Sequence, residues 1–443
     1  MSAVPESGVT PAAKSFRRIG SRATRKATII AFFAWLFAVF DFIMFGTLLP
    51  QISAGFGWDN TTASLVSTLV SVATAIIALA VGPITDRIGR RKGMILTVSG
   101  AAVASALSSV TPSAAYLIGV RSLGGLGLAE QAVNATYLSE IYAVTDDEKI
   151  KKRRGLIYSF VQGAFPLGVL LASAWVAVFL PVLGWRGCFL LAVFPAAVIA
   201  LMRRGLRESP QFELELQLRS LRKQGRTAEA TELARSYGVD ERPAAPLAAI
   251  FTGRARRNTL VLGFAWFINA AGMQLFSVLG TTVLTEGKHV SFANSLVLLI
   301  VANAVGYVGD VAHGFLGDRL GRRNVIAFGW IIAGILFAFM LTVANGTIAV
   351  VSLYSLGLFF LTGAYSAMLF YMGECYDTAC RATGTGFLNA LSQPGSIVAG
   401  AIVTAMLASG STWAHATLLV GAVGTVASGF VMFGARKAAL LQD

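Results

Sequence analysis

The chain has 443 residues, of which 55% are hydrophobic and only 13% charged, and its mean hydropathy is +0.68. A soluble domain carries roughly a quarter of its residues as Asp, Glu, Lys or Arg. Composition therefore excludes a water-soluble enzyme or regulator and leaves an integral membrane protein, in which the net charge of +14 has to be read against topology.

In chain order, residues 1–26 are polar and basic. They are expected to be a cytoplasmic arm with no cleavable signal, because the apolar run that follows is too long for a signal-peptide core. Beyond them, uncharged runs recur that are long enough to cross about 30 Å of hydrocarbon as helices. Lipid offers the backbone no partner, so each run must satisfy its own hydrogen bonds. The predicted spans, numbered one to twelve, are 27–50, 61–85, 93–111, 113–141, 155–181, 186–203, 258–284, 291–317, 324–344, 347–374, 383–408 and 412–435. The fold class is all-α, with twelve transmembrane helices.

An even number of crossings puts both termini on one side. That side also receives 33 of the 36 Lys and Arg residues. Positive loops stay in the cytoplasm, so both termini are expected there, in the inner or plasma membrane. The basic charge is thus topological, with some contact to anionic lipid, and no nucleic-acid partner is expected. Cys188, Cys375 and Cys380 lie in or beside spans without disulfide or zinc spacing.

Two sequence pairs show an internal repeat. "GPITDRIGRR" at 82–91 returns as "GFLGDRLGRR" at 314–323, and "YLSEIY" at 137–142 returns as "YMGECY" at 371–376. The expected organisation is a six-helix domain at 27–203, a linker at 204–257, a second six-helix domain at 258–435 and a tail at 436–443. Leu214, Leu218 and Leu221 fall on one helical face, so the linker is expected to hold one or two amphipathic helices. It contains no metal, nucleotide or catalytic motif.

The duplicated G-x3-D-R-x-G-R-R motif and the six-plus-six organisation resemble the major facilitator superfamily over nearly the whole chain. "RSLGGLGLAEQAVNATYLSEIYA", "VLGWRGCFLL" and "LRESPQF" look like its branch of metabolite, sialic acid and monocarboxylate–proton symporters. Two departures stand out: a longer loop after span four, and no Pro after the Glu that ends it. The resemblance implies two pseudo-symmetric bundles that alternate access. It also implies that Gly82, Asp86, Arg87, Gly89, Arg90 and Arg91, with their copies Gly314, Asp318, Arg319, Gly321, Arg322 and Arg323, latch the halves. Glu140 with Arg154, and Glu374 with Arg381, receive the same gating role. On the residues alone, the glycines permit tight turns and the Asp caps or pairs.

Ionisable groups inside spans cost about 2.5–3.5 kcal/mol on insertion scales and therefore face a cavity or a partner. They are Asp41 in span one, Arg121 and Glu130 in span four, and Asp310 with His313 in span eight. Across the repeat, Asp41 maps to Met273, Asp310 to Ala78 and Arg121 to Ser355. These charges are not duplicated, which favours specialised roles. Asp41 lies roughly 20 Å into its span at 1.5 Å per residue, a depth compatible with pairing to Arg121. In related symporters the corresponding acid takes up the proton and the Arg is its partner. A permanent fastening pair is the alternative.

Glu130 is nine positions beyond Arg121, on the opposite helix face, and is expected either to support the coupling site or to pack. Asp310 and His313, one turn apart, are candidates for a proton relay, or else for fastening the nearby loop. Arg121, Gln162, Asn269, Gln274, Asn389 and Gln393 are candidates for solute contact, against helix packing as the default for a lone amide. Phe40, Phe45, Trp266 and Tyr365 are assigned to the bundle core.

The expected function is proton-coupled symport that imports a small organic solute, a carboxylate, with Asp41 as proton site and Arg121 as partner and anion clamp. The expected partners are solute, protons and lipid, with a monomer and no bound cofactor. The alternatives are a sugar or polyol symporter, a proton-coupled drug or metabolite antiporter, and a membrane sensor. The loops hold no catalytic constellation, so no enzyme is expected.

Overall fold

The computed structural model describes residues 18–152, 154–237, 247–253, 255–376 and 381–436. Most of the arm, part of the linker and nearly all of the tail lie outside these described residues, as does Cys380. Among the described residues there is no strand, only one isolated bridge between Ile19 and Thr145.

Nine helices among them are long and apolar enough to cross a membrane. One of these, Phe160–Arg204, holds two crossings, because Gly184 leaves helical geometry at φ 63° and ψ 178°. The indole of Trp175 donates across the bend to the Cys188 carbonyl at 3.1 Å. Span three is Arg90–Ser108, and span four is two pieces, Ala114–Ser122 and Gly124–Val144. Together these make the twelve crossings expected from the sequence. Span one begins earlier than its apolar run, at Ser21, since buried Thr24 bonds Thr145 at 3.0 Å.

Breaks recur at equivalent places in the two halves. Arg154–Gln162 stops before Ala164–Arg204, and Arg381–Ala390 stops before Ser392–Ala408. Pro166 and Pro394 supply the shared cause. Each lacks an N–H and crowds the carbonyl four residues back, at Gln162 and Ala390, the last residues before the breaks. Span seven is irregular in another way: Ala255–Gly272 passes into π-helical turns at Met273–Val278 and Val283–Gly287, a widening common at functional sites.

The halves meet where span five packs on span eight, span two on span eleven, and span one on span seven. On the face away from the termini these contacts form a seal. Ser64 and Thr404 share a hydroxyl hydrogen bond of 2.8 Å, and Thr281 donates to the carbonyls of Gly46 and Thr47 at 3.1 and 3.0 Å. In the linker, helices Pro210–Lys223 and Thr227–Ser236 pair through Leu214, Leu218, Ala230 and Ala234.

Candidate transport cavity and buried ion pairs

Between the halves lies a cavity of about 740 Å³, walled mainly by spans two, four, seven and eleven. Its residues come from the middle of those spans and their termini-side portions, such as Ser71–Leu79 and Gly386–Ile397, so it opens toward the termini and away from the seal. Of the amides expected to meet solute, Asn269, Gln274, Asn389 and Gln393 border it. Gln162 borders a side crevice that shares Trp35, Gln131, Phe165, Met273 and Tyr365 with the cavity. The π turn of span seven begins at Met273 and places Gln274 there. No Lys, Arg or His lines the cavity among the described residues.

Asp41 and Arg121 come together as an ion pair of 3.0 Å. Only 7% and 2% of their surfaces are exposed, so this charge pair is sealed into the N-terminal bundle. Arg121 also donates to the Asp41 carbonyl at 3.0 Å, and the Ser105 hydroxyl donates to the carboxylate. The guanidinium lies 5.1 Å from the Phe189 ring centre and 5.9 Å from that of Phe45. One of its nitrogens, Nη1, is buried without a hydrogen-bond partner. Neither Asp41 nor Arg121 borders the cavity; Thr74 does, and its hydroxyl donates to the Arg121 carbonyl at 3.3 Å. Arg121 is thus turned toward Asp41 and the rings, away from where the sequence placed an anion clamp.

A sequence profile of the Major Facilitator Superfamily matches residues 31–400. The chain belongs to that superfamily. It is 26% identical to a probable 4-methylmuconolactone transporter of Cupriavidus pinatubonensis over 94% of this chain and 91% of that one. It is likewise 26% identical to a gallate transporter of Pseudomonas putida, over 86% and 85% of the two chains. The inward open conformation of the E. coli xylose transporter XylE superposes with a TM-score of 0.71 at 16% identity, covering 94% of this chain and 97% of that one. The protein is therefore a multi-pass membrane transporter with the major facilitator fold, and not an enzyme.

The superfamily's loop motif is held within each half. Gly89 and Gly321 turn the chain at φ 103° and 85°, a region that favours Gly. In the first half Arg90 pairs with Glu140 at 3.3 Å. Glu208 of "LRESPQF" accepts the Arg91 backbone N–H at 3.1 Å, and Ser209 donates to Glu140. In the second half Arg322 pairs with Glu374 at 2.6 Å, and Arg323 donates to the Ala435 carbonyl at 3.1 Å. Arg87 and Arg319 are exposed, and Gly82 and Gly314 have open space around them. The side chains of Asp86, Arg154, Asp318 and Arg381 lie outside the described set.

Glu130 does not reach the Asp41 pair. Fully buried, it makes an ion pair with Arg203, the last turn of span six. Thr97 donates to the same carboxylate, and Arg203 also donates to Asn134 at 2.9 Å and to the Met94 carbonyl at 2.6 Å. Arg203 reads in the sequence as one more basic anchor at the end of an apolar run. His313 is packed against Phe359 and Phe360, with Nδ1 2.9 Å from the Gly309 carbonyl. It is not brought to Asp310, which borders the side crevice.

Trp266 and Tyr365, read as core, border the cavity, although Phe40 and Phe45 do not. Gln131 and Trp35 also border the cavity. Gln131 had a usable signal, because the residue after an inward-packed Glu130 is rotated about 100° toward another face.

Proposed function

We propose that the protein is a proton-coupled symporter that imports a small organic acid by alternating access. It works as a monomer in the cell membrane, with both termini cytoplasmic and no bound cofactor. The observation that carries this reading is the buried Asp41–Arg121 pair, set in the same helix as the Gly46 end of the seal. Five residues separate Asp41 from Gly46, about 7.5 Å along a helix. Opening the seal therefore moves the segment that holds the proton site. With the cavity open toward the termini, Asp41 is paired to Arg121, the arrangement of a carboxylate that has released its proton. Protonation from outside removes the charge that holds Arg121 and frees span one to move. Solute and proton are linked because each favours the same rearrangement.

The choice of an organic acid rests on the relatives named for gallate and 4-methylmuconolactone. A cavity of this size with two tryptophans and several amides suits a planar ring bearing a few polar groups. In proteoliposomes, Asp41→Asn is expected to lose accumulation driven by a pH gradient while keeping solute exchange. Normal pH-driven accumulation in that variant refutes the assignment. A second reading, a neutral sugar or polyol, is favoured by the lack of a cation on the cavity wall among the described residues. Competition of the imported solute by xylose, and not by gallate, decides for it.

A further inference from the structure

An anion entering this cavity meets no Lys, Arg or His among the described residues. No acid among them lines it either; the nearest is Asp310, in the side crevice of about 10 Å³ that shares five wall residues with the cavity and would have to widen to admit a solute group. Asp310 stands in the side crevice between the halves, with Thr362, Tyr365 and Ser366 of span ten on one side and Gln162 and Gln131 on the other. Its Oδ1 is buried and makes no hydrogen bond. A carboxylate oxygen hidden from water costs free energy unless a donor reaches it; Ser366 and Thr362 hydrogen-bond to this carboxylate but leave Oδ1 unsatisfied. Gln131 donates to Gln162 at 2.9 Å, and Gln162 donates to Tyr158.

We propose that Asp310 is a solute-binding residue, and that it holds a solute carboxylate through one proton shared between the two acids. The proposal rests on the organic-acid reading above. Two carboxylates at hydrogen-bond distance cannot both ionise in a site of low dielectric, so an anion binds at Asp310 only together with a proton. The balance is simple: Asp310 carboxylate, solute carboxylate and one proton combine into a pair with a single negative charge. On release to the cytoplasm all three separate, and no other bond changes. The pair would span both halves, from Asp310 on span eight to Gln162 and Gln131 on spans five and four.

The surroundings of Asp310 leave it the titrating group of this crevice. Tyr365 of span ten and Tyr158 behind Gln162 are the other titratable side chains near it. Trp35 of span one and Met273 of span seven carry no charge. Span nine approaches span eight at His313, through Gly329, and that imidazole is turned toward Phe359 and Phe360.

The test is calorimetry on the purified full chain in buffers of differing ionisation enthalpy, after a binding screen of gallate, nicotinate and benzoate. Wild type is expected to take up about one proton per carboxylate bound above neutral pH. Asp310→Asn, which still donates a hydrogen bond, is expected to bind the same solute within about tenfold and to take up about none; Asp310→Ser serves where the Asn variant does not fold. Unchanged proton uptake in the Asp310 variants overturns the proposal and leaves the symport reading standing. If no carboxylate binds to wild type, the organic-acid reading itself falls. Saturable binding of an organic cation such as tetraethylammonium that Asp310→Asn abolishes also overturns the shared proton.

Discussion

Thr281 of span seven donates its hydroxyl to the Gly46 carbonyl of span one across the junction of the two halves, at 3.1 Å. The approach is close because Gly46 has no side chain: a Cβ there would stand 2.2 Å from the Val278 carbonyl oxygen. Gly46→Ala is therefore expected to hold the halves apart on this face and shift the population toward an outward-open state. A cysteine introduced at Ser64, which the Thr404 contact covers, should then label faster with a membrane-impermeant thiol reagent. Unchanged labelling would show that the seal does not depend on this contact.

Removing Arg121 strands a buried carboxylate. Losing one partner of a buried pair costs about 3–5 kcal/mol, so Arg121→Gln is expected to lower Tm by several degrees. Asp41→Asn in the same chain should recover part of that loss. Additive losses in the double variant would mean that the two groups are not coupled in the folded protein.

Glu130 and Arg203 form a pair with no exposed surface, and neither borders the cavity. Glu130→Gln is expected to destabilise by about 3–5 kcal/mol while leaving the pH dependence of transport unchanged in whatever protein remains folded. A displaced pH profile with normal Tm would instead place Glu130 in the coupling machinery.

The cavity amides should behave differently from both pairs. A single hydrogen bond is worth about 0.5–1.5 kcal/mol net, so alanine at Asn389 or Gln393 is expected to raise the KM for solute by about two- to tenfold with little change in Tm. Equal loss of stability and of affinity would make them packing residues.

Much of the candidate site was legible because it depends on composition and depth. A charge inside an apolar run is conspicuous, so Asp41, Arg121 and Asp310 stand out from sequence alone, as do the amides Asn269, Gln274, Asn389 and Gln393. Facing direction is a different matter. Glu130 and Gln131 are neighbours in sequence, yet one is sealed against Arg203 and the other meets the cavity. Arg203 is indistinguishable in sequence from a positive-inside anchor, because what holds it is Glu130, Asn134 and the Met94 carbonyl from other spans.

What the sequence determined by itself is what depends on one-dimensional quantities. The lengths of the uncharged runs set the number of crossings, and the two repeated motifs set the duplication. Pro166 and Pro394 each remove one backbone donor at the breaks of spans five and eleven, although Pro50 and Pro83 lie inside continuous helices. Tertiary structure alone decided partnership and access. Asp41 meets Arg121 behind the cavity wall while Asp310 borders the crevice, and the seal closes at Gly46 while the opposite face is open. Those outcomes depend on how helices distant in sequence rotate and pack, and no spacing along one helix encodes which neighbour its charged face will meet.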